Sequence, residues 1–250
     1  MNSNSAGVAV HEVLAVVLQV RAGELQVLLW RRGIEPEAGR WALPGGRLGA
    51  SEDVQTSVLR QLAEKVDVRE VAHVEQLEVF SAPDRMPGAR TVATAFLGLV
   101  PCVADPEVPG DTAWHPVSGV LHGDPATAFD HGPIVRGARN RLRAKLSYTN
   151  LGFALAPPEF TVSGLRELYA AALGHRVSAT NLQRVLARRG VLVATGGTAA
   201  PGPSGGRPAA VYRFAERDMR VTDPFAVLRP PDPRQTVGEQ LQPADRAPSS

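Results

Sequence analysis

Apolar residues run in short continuous blocks through the first half of the chain and at helical spacing through the second. "VLAVVLQV" (Val13–Val20) and "LQVLLW" (Leu25–Trp30) flank Arg21-Ala22-Gly23-Glu24, which predicts two strands and a short Gly-containing turn. Pro44-Gly45-Gly46 in "WALPGGR" requires a turn. From Ser51 the period becomes helical: Ser51 is the expected N-cap, Glu52 and Asp53 suit a first turn, and Val54, Val58, Leu59 and Leu62 recur at helical spacing. "HVEQLEVF" and "RTVATAFLGLVP" read as further strands around the polar loop "SAPDRMPGAR". Together these elements predict an α/β arrangement on a mixed sheet.

The character changes at His131. "HGPIVRGARNRLRAKLSY" is a basic amphipathic helix with Ile134, Val135, Ala138, Leu142 and Leu146 on one side. "TVSGLRELYAAALG" and "SATNLQRVLARRG" follow, each with Ser or Thr near its start and Gly just past its end. Their tight link predicts a helix-turn-helix. "VLVAT" and "AAVYRFA" read as strands flanking the Gly/Pro-rich loop "GGTAAPGPSGGRP", so three helices and a hairpin give the order of a winged helix. The Pro-rich tail from Val221 is expected to be disordered. The division expected is 1–146, 147–220 and 221–250.

Charge sharpens that division. Residues 1–135 carry 10 Lys+Arg against 17 Asp+Glu, a net −7; residues 136–220 carry 14 against 4, a net +10; the last thirty are −1. A basic segment joined to an acidic one points to a polyanion contact confined to one half. The single cysteine, Cys102, excludes an intramolecular disulfide and a cysteine metal cluster, and points to a reducing, cytoplasmic setting. No apolar run is long enough to cross a bilayer, so no membrane partner is expected. Gly202-Pro203-Ser204-Gly205-Gly206 fits a hydrolase Gly-x-Ser-x-Gly pattern by chance, since no helix follows it.

The stretch Gly45–Val68, "GGRLGASEDVQTSVLRQLAEKVDV", resembles the Nudix box, Gly-x5-Glu-x7-Arg-Glu-apolar-x-Glu-Glu-x-Gly-apolar. Gly46, Glu52, Arg60, Leu62, Glu64 and Val68 fit; Gln61 and Lys65 stand where the family has metal-binding glutamates, and Asp67 where it has Gly. Nudix enzymes split a pyrophosphate with water and divalent metal, and Mg²⁺ wants several hard oxygen ligands. Positions 61, 64 and 65 share one helical side, where Gln61 offers a neutral oxygen and Lys65 a repelling charge. Neither a catalytic residue nor a metal site is expected. Glu52 and Arg60 read as a structural pair. Arg47, Arg60 and Lys65 are also candidates for holding a pyrophosphate without metal, beside Glu64; the alternative for Lys65 is a solvated lysine at a helix end.

"FTVSGLRELYAAALGHRVSATNLQRVLARRGVLV" with "GGRPAAVYRF" resembles the C-terminal domain of the Nudix-related transcriptional regulators of NAD metabolism, the NrtR family. The resemblance covers roughly residues 8–215 and implies a Nudix-like domain followed by a winged helix-turn-helix. In that family the loop holding Asp84, Arg85 and Arg90 borders the ligand pocket, which adds Arg85 and Arg90 to the candidates. On the second helix of the pair, Leu182, Val185, Leu186 and Arg189 share one side; Asn181, Gln183, Arg184 and Arg188 lie elsewhere and suit base edges and phosphates. Ser178 and Thr180 at the helix start, and Arg207 in the wing loop, complete the expected DNA contacts.

The resemblance implies a dimeric repressor of NAD biosynthesis or salvage genes, bound to an inverted-repeat operator and sensing ADP-ribose or a related nucleotide, with no required cofactor. Two alternatives stand beside it. One is an active ADP-ribose pyrophosphatase, with Glu64 and carboxylates outside the box holding metal. The other is a non-specific nucleic-acid binder, for which the basic half alone suffices.

Overall fold

The computed structural model describes residues 8–200 and 208–223. The predicted first hairpin is β1 (Val10–Arg21) and β2 (Glu24–Arg31), with Ala22 and Gly23 at positive φ in its turn. Then come β3 (Trp41–Ala42), β4 (Gly45–Arg47), α1 (Val54–Val66), β5 (His73–Phe80), β6 (Thr91–Leu99), β7 (Thr112–Pro116) and α2 (Val117–Leu121). The strands form one mixed sheet in the order β3-β2-β1-β6-β5, with β4 added to β1 and β7 to β2. Among the described strand pairs of this sheet, β1–β6 is the parallel one and the rest are antiparallel.

Strand β1 explains the layering. Side chains alternate across a strand, so Val13, Ala15 and Val17 pack with Val58, Leu62 and Val66 of α1, while Leu14, Val16 and Leu18 pack on the opposite side with the helix beginning at His131. A strand covered on both faces must be apolar throughout, as "VLAVV" is. Gln19 interrupts the run and is fully buried; its Nε2 donates to the carbonyls of Pro101 and Ala104 at 2.7 and 2.6 Å.

Two expectations for α1 need correction. Its N-cap is Asp53, whose side chain accepts from the Thr56 amide at 2.7 Å, while Ser51 stays exposed in the preceding loop. Leu59 is exposed, because Val58, Leu62 and Val66 form the buried row and the next residue along turns about 100° away. At the other end Asp67 takes up the left-handed conformation (φ 50°) and its amide reaches the Leu62 carbonyl, so it performs as helix terminator in the position where Gly is usual.

The basic helix α3 (His131–Tyr148) buries the predicted side and passes beyond residue 146 by two residues. A 3-10 turn (Leu151–Ala154), β8 (Phe160–Thr161), α4 (Val162–Leu173), α5 (Ala179–Arg188), β9 (Leu192–Ala199) and β10 (Ala209–Phe214) follow. The three strands pair as β8-β10-β9, completing a winged helix-turn-helix. Thr161 caps α4, Gly174 ends it in the left-handed conformation, and Ser178 caps α5. Strand β9 extends through Thr195 to Ala199, into what the sequence presents as loop, because Ala209 and Ala210 pair with Ala199 and Thr198 across a register shift. The rest of that loop, with Arg207, lies outside the described residues.

The tail departs from expectation at its start. Val221 bridges Thr149, and the Thr222 amide reaches the Tyr148 carbonyl at 2.8 Å. Buried Asn150 holds this return: its Nδ2 donates to the Asp218 carbonyl at 2.9 Å and its Oδ1 accepts from the Arg220 amide at 2.7 Å. Residues 224–250 lie outside the described residues. One apolar cluster joins Leu14 and Leu97 of the large sheet, Leu142 and Leu146 of α3, and Leu165, Leu186 and Phe214 of the winged helix.

Candidate functional site

The turn before α1 is built on close backbone approach. A Cβ on Gly45 would stand 2.2 Å from the Val13 carbonyl oxygen, and one on Gly46 would stand 2.7 Å from the Gln61 amide nitrogen. Gln61 is therefore tucked beneath the turn, buried, with its Oε1 unpaired. Glu52 accepts from the Gly49 amide at 2.7 Å and from Arg60 at 2.6 and 2.9 Å. These donors, Arg60 first, pull the Glu52 carboxyl down to about 2. The remaining Arg60 nitrogen donates to Glu64 at 3.0 Å, so all three nitrogens of the guanidinium are engaged by carboxylates.

Lys65 is not a solvated helix-end lysine. Its Nζ donates to the Gly45 carbonyl and lies 5.1 Å from the centroid of the Trp30 ring, whose indole N–H donates to the Leu43 carbonyl at 3.0 Å. Burial pushes the ammonium pKa down, and Glu12 is the foremost opposing charge. The ammonium is thus a fixed positive charge over an aromatic face beside the Gly-Gly turn.

The box does not fit a divalent ion. Glu52 and Glu64 are held by Arg60, Gln61 is neutral and buried, and Lys65 places positive charge on the same turn of helix. Among the described residues no group of three or more His, Cys, Asp or Glu is placed to hold a metal.

The other pocket candidates separate. Arg47 is exposed and lines a cleft of about 190 Å³ with Glu12, Met86, Pro87 and Ala89. Arg90 braces its own loop through the Ser81 and Ala82 carbonyls at 2.6 and 2.9 Å. Arg85 is buried and paired with Asp130 and Glu12, which commits it to holding the loop rather than to facing the cleft. Sequence reasoning passed over Trp30 and Glu12. Glu12 carried a signal, as a carboxylate interrupting an apolar strand; Trp30 carried none.

On α5, Leu182 and Leu186 enter the core, and Arg189 turns back to the Ser147 carbonyl at 2.8 Å. The opposite side exposes Thr180, Asn181, Gln183, Arg184 and Arg188. Arg184 donates to the Asn181 Oδ1 at 2.8 Å and Gln183 to the Tyr212 hydroxyl at 3.1 Å, which orients both side chains at the surface. Ser178 spends its hydroxyl on the helix, accepting from the Asn181 amide at 3.3 Å. No helix among the described residues is long and apolar enough to cross a membrane.

The NUDIX domain family model matches residues 10–136, and that of the NrtR DNA-binding winged helix domain matches residues 152–214. The chain is similar to the ADPR responsive transcriptional repressor NtrR of Acinetobacter baylyi, 30% identical over 213 residues that make up 83% of each chain. It is also similar to an ADP-ribose pyrophosphatase of Methanocaldococcus jannaschii, 30% identical over 112 residues, 44% of this chain and 64% of that one. Among solved structures it resembles Shewanella oneidensis NrtR complexed with a 27mer DNA, at 30% identity and a TM-score of 0.69, covering 81% of this chain and 92% of the other.

Proposed function

The chain belongs to the NrtR family, and from that premise we propose that it is a sequence-specific DNA-binding repressor of NAD biosynthesis or salvage genes, released or retained by ADP-ribose or a related nucleotide. Residues 1–146 form the effector-binding part and 147–220 the DNA-reading part. The observation that carries the reading is α5: one side is fixed in the core, and the other offers Thr180, Asn181, Gln183, Arg184 and Arg188 with no acidic residue in the helix. Amide and guanidinium groups on an exposed helix suit major-groove base edges and phosphates. Two copies related by a twofold axis meet an inverted repeat.

The Nudix-like part binds without cutting. Lys65 and Arg47 supply fixed positive charge for a diphosphate, while the carboxylates a metal requires are spent on Arg60. A sensor gains nothing by destroying its signal. Binding shifts DNA affinity only by favouring one arrangement of the dimer over another. The similarity to a pyrophosphatase keeps hydrolysis as the second reading. Release of AMP and ribose 5-phosphate from ADP-ribose with Mg²⁺ or Mn²⁺ would establish it.

The direct experiment is selection of bound duplexes from a random DNA pool, with and without ADP-ribose. Enrichment of one inverted repeat that ADP-ribose alters supports the regulator and its effector together. Absence of any enriched sequence overturns the reading in favour of non-specific binding or hydrolysis.

A further inference from the structure

Helix α3 carries a second cationic feature, on the side away from Glu75. Arg141 and Lys145 pair with that carboxylate at 3.6 and 2.5 Å. Arg136, Arg139 and Arg143, spaced at three and then four residues, share a different side, and none forms an ion pair among the described residues. Arg136 makes a long contact, 3.4 Å, to the Leu121 carbonyl, and Arg139 turns to the amide oxygen of its neighbour Asn140. Arg143 leaves its Nε buried without a partner.

Two of these arginines, Arg139 and Arg143, border a cavity of about 270 Å³. Arg139 and Arg143 line it from α3, Ser118 from α2, Ala170 and the capping Gly174 from α4 and its end, and Glu24 from the start of β2. The site therefore lies where the Nudix-like sheet meets the winged helix. Gly174 ends α4 in the left-handed conformation, and a Cβ there would stand 2.1 Å from a terminal nitrogen of Arg143, so the guanidinium lies directly against the end of α4. Burial, followed by the like charges of Arg143 and Arg136, pushes the Arg139 guanidinium pKa down, the direction expected where cations gather without a counter-charge.

We propose that this cavity binds a small phosphate-class anion, of which inorganic pyrophosphate is the simplest member, independently of the nucleotide pocket beside Lys65. Guanidinium forks match phosphate oxygens in pairs, and Ser118 adds a hydroxyl donor. Glu24, the one carboxylate on the lining, leaves the arginines in excess. A space of this size admits a small anion. An anion held here touches both halves of the chain and stabilises their mutual arrangement.

Calorimetric titration of the full chain with inorganic pyrophosphate, in the presence of a chelator to exclude metal, tests this. In a Lys65→Gln background, which silences the nucleotide pocket, saturable binding is still expected, and adding Arg139→Gln/Arg143→Gln weakens it about tenfold or more. Glu24→Gln, which leaves the arginines and their packing in place, should tighten binding and raise the pyrophosphate-dependent melting temperature. Loss of binding in Lys65→Gln with retention in the double arginine variant would put the anion in the nucleotide pocket and overturn the proposal. Absence of saturable binding, or of any response to Glu24→Gln, overturns it as well. None of these outcomes depends on DNA recognition or on ADP-ribose.

Discussion

Arg85 and Asp130 meet through two parallel contacts, the Nε and one terminal nitrogen donating to the two carboxylate oxygens at 2.9 and 2.8 Å. Glu12 takes the other terminal nitrogen at 3.0 Å, and the arginine side chain is 1% exposed. One guanidinium thus ties the 81–90 loop to the first strand and to the start of α3. Removing it leaves two carboxylates facing each other without their counter-charge. Arg85→Ala is expected to lower stability by about 3 kcal/mol, read from the midpoint of urea unfolding. A change within the range of ordinary surface pairs, below about 1 kcal/mol, would show that the knot contributes little.

His131, the first residue of α3, accepts the Leu43 amide on Nδ1 at 2.9 Å, which leaves its proton on Nε2. Burial, helped by Arg85 and Arg32, pushes its pKa down to about 3. The folded chain therefore refuses a proton that the unfolded chain accepts near pH 6.5. Its contribution is fully present above that pH and is lost as pH falls toward 3, at about 1.4 kcal/mol per pH unit. His131→Asn keeps an acceptor but removes the titration, so its stability should fall less steeply between pH 6 and pH 4, an interval set by about the ordinary histidine range. Equal slopes for the two proteins would exclude His131 as the source.

Gly45 and Gly46 are adjacent and not equivalent. A methyl group on Gly45 meets a backbone oxygen, which cannot move without displacing β1; one on Gly46 meets the end of a glutamine side chain. Gly45→Ala should cost about 1–3 kcal/mol and Gly46→Ala less. Thermal unfolding of the two variants gives the ranking directly, and the reverse order would contradict the packing described.

At the DNA surface, Arg184→Ala should relax sequence preference at a cost of about 1–3 kcal/mol, because Asn181 orients that guanidinium. Arg207→Ala, in the loop outside the described residues, should weaken all duplexes alike and reduce the salt dependence by about one unit of slope. Binding isotherms on matched and scrambled operators at several salt concentrations separate the two effects. If neither variant weakens binding, another surface reads the DNA.

Local chemistry was legible and distant pairing was not. The ends of α4 and α5 follow from Thr161, Gly174 and Ser178, because a cap is decided within three or four residues. At the start of α1 the local pattern points two residues early, to Ser51 as the cap and Asp53 as a first-turn residue, whereas Asp53 is the cap. The Glu52–Arg60 pair expected from the box is present and holds the loop before α1. Lys65 stood out in the sequence as the wrong charge in its box, but the Trp30 ring beside it comes from β2, 35 residues earlier. Arg85 looked like a ligand contact from its loop; its partners lie 45 and 73 residues away, beyond the reach of any periodicity.

The apolar cluster that runs from Leu14 through Leu142 to Phe214 leaves the chain without a seam. A fragment ended after residue 146 would carry wet leucines on α3, and the remainder would begin without the helix against which α4 is packed. The DNA-reading half is thus no detachable cassette to be grafted onto another sensor.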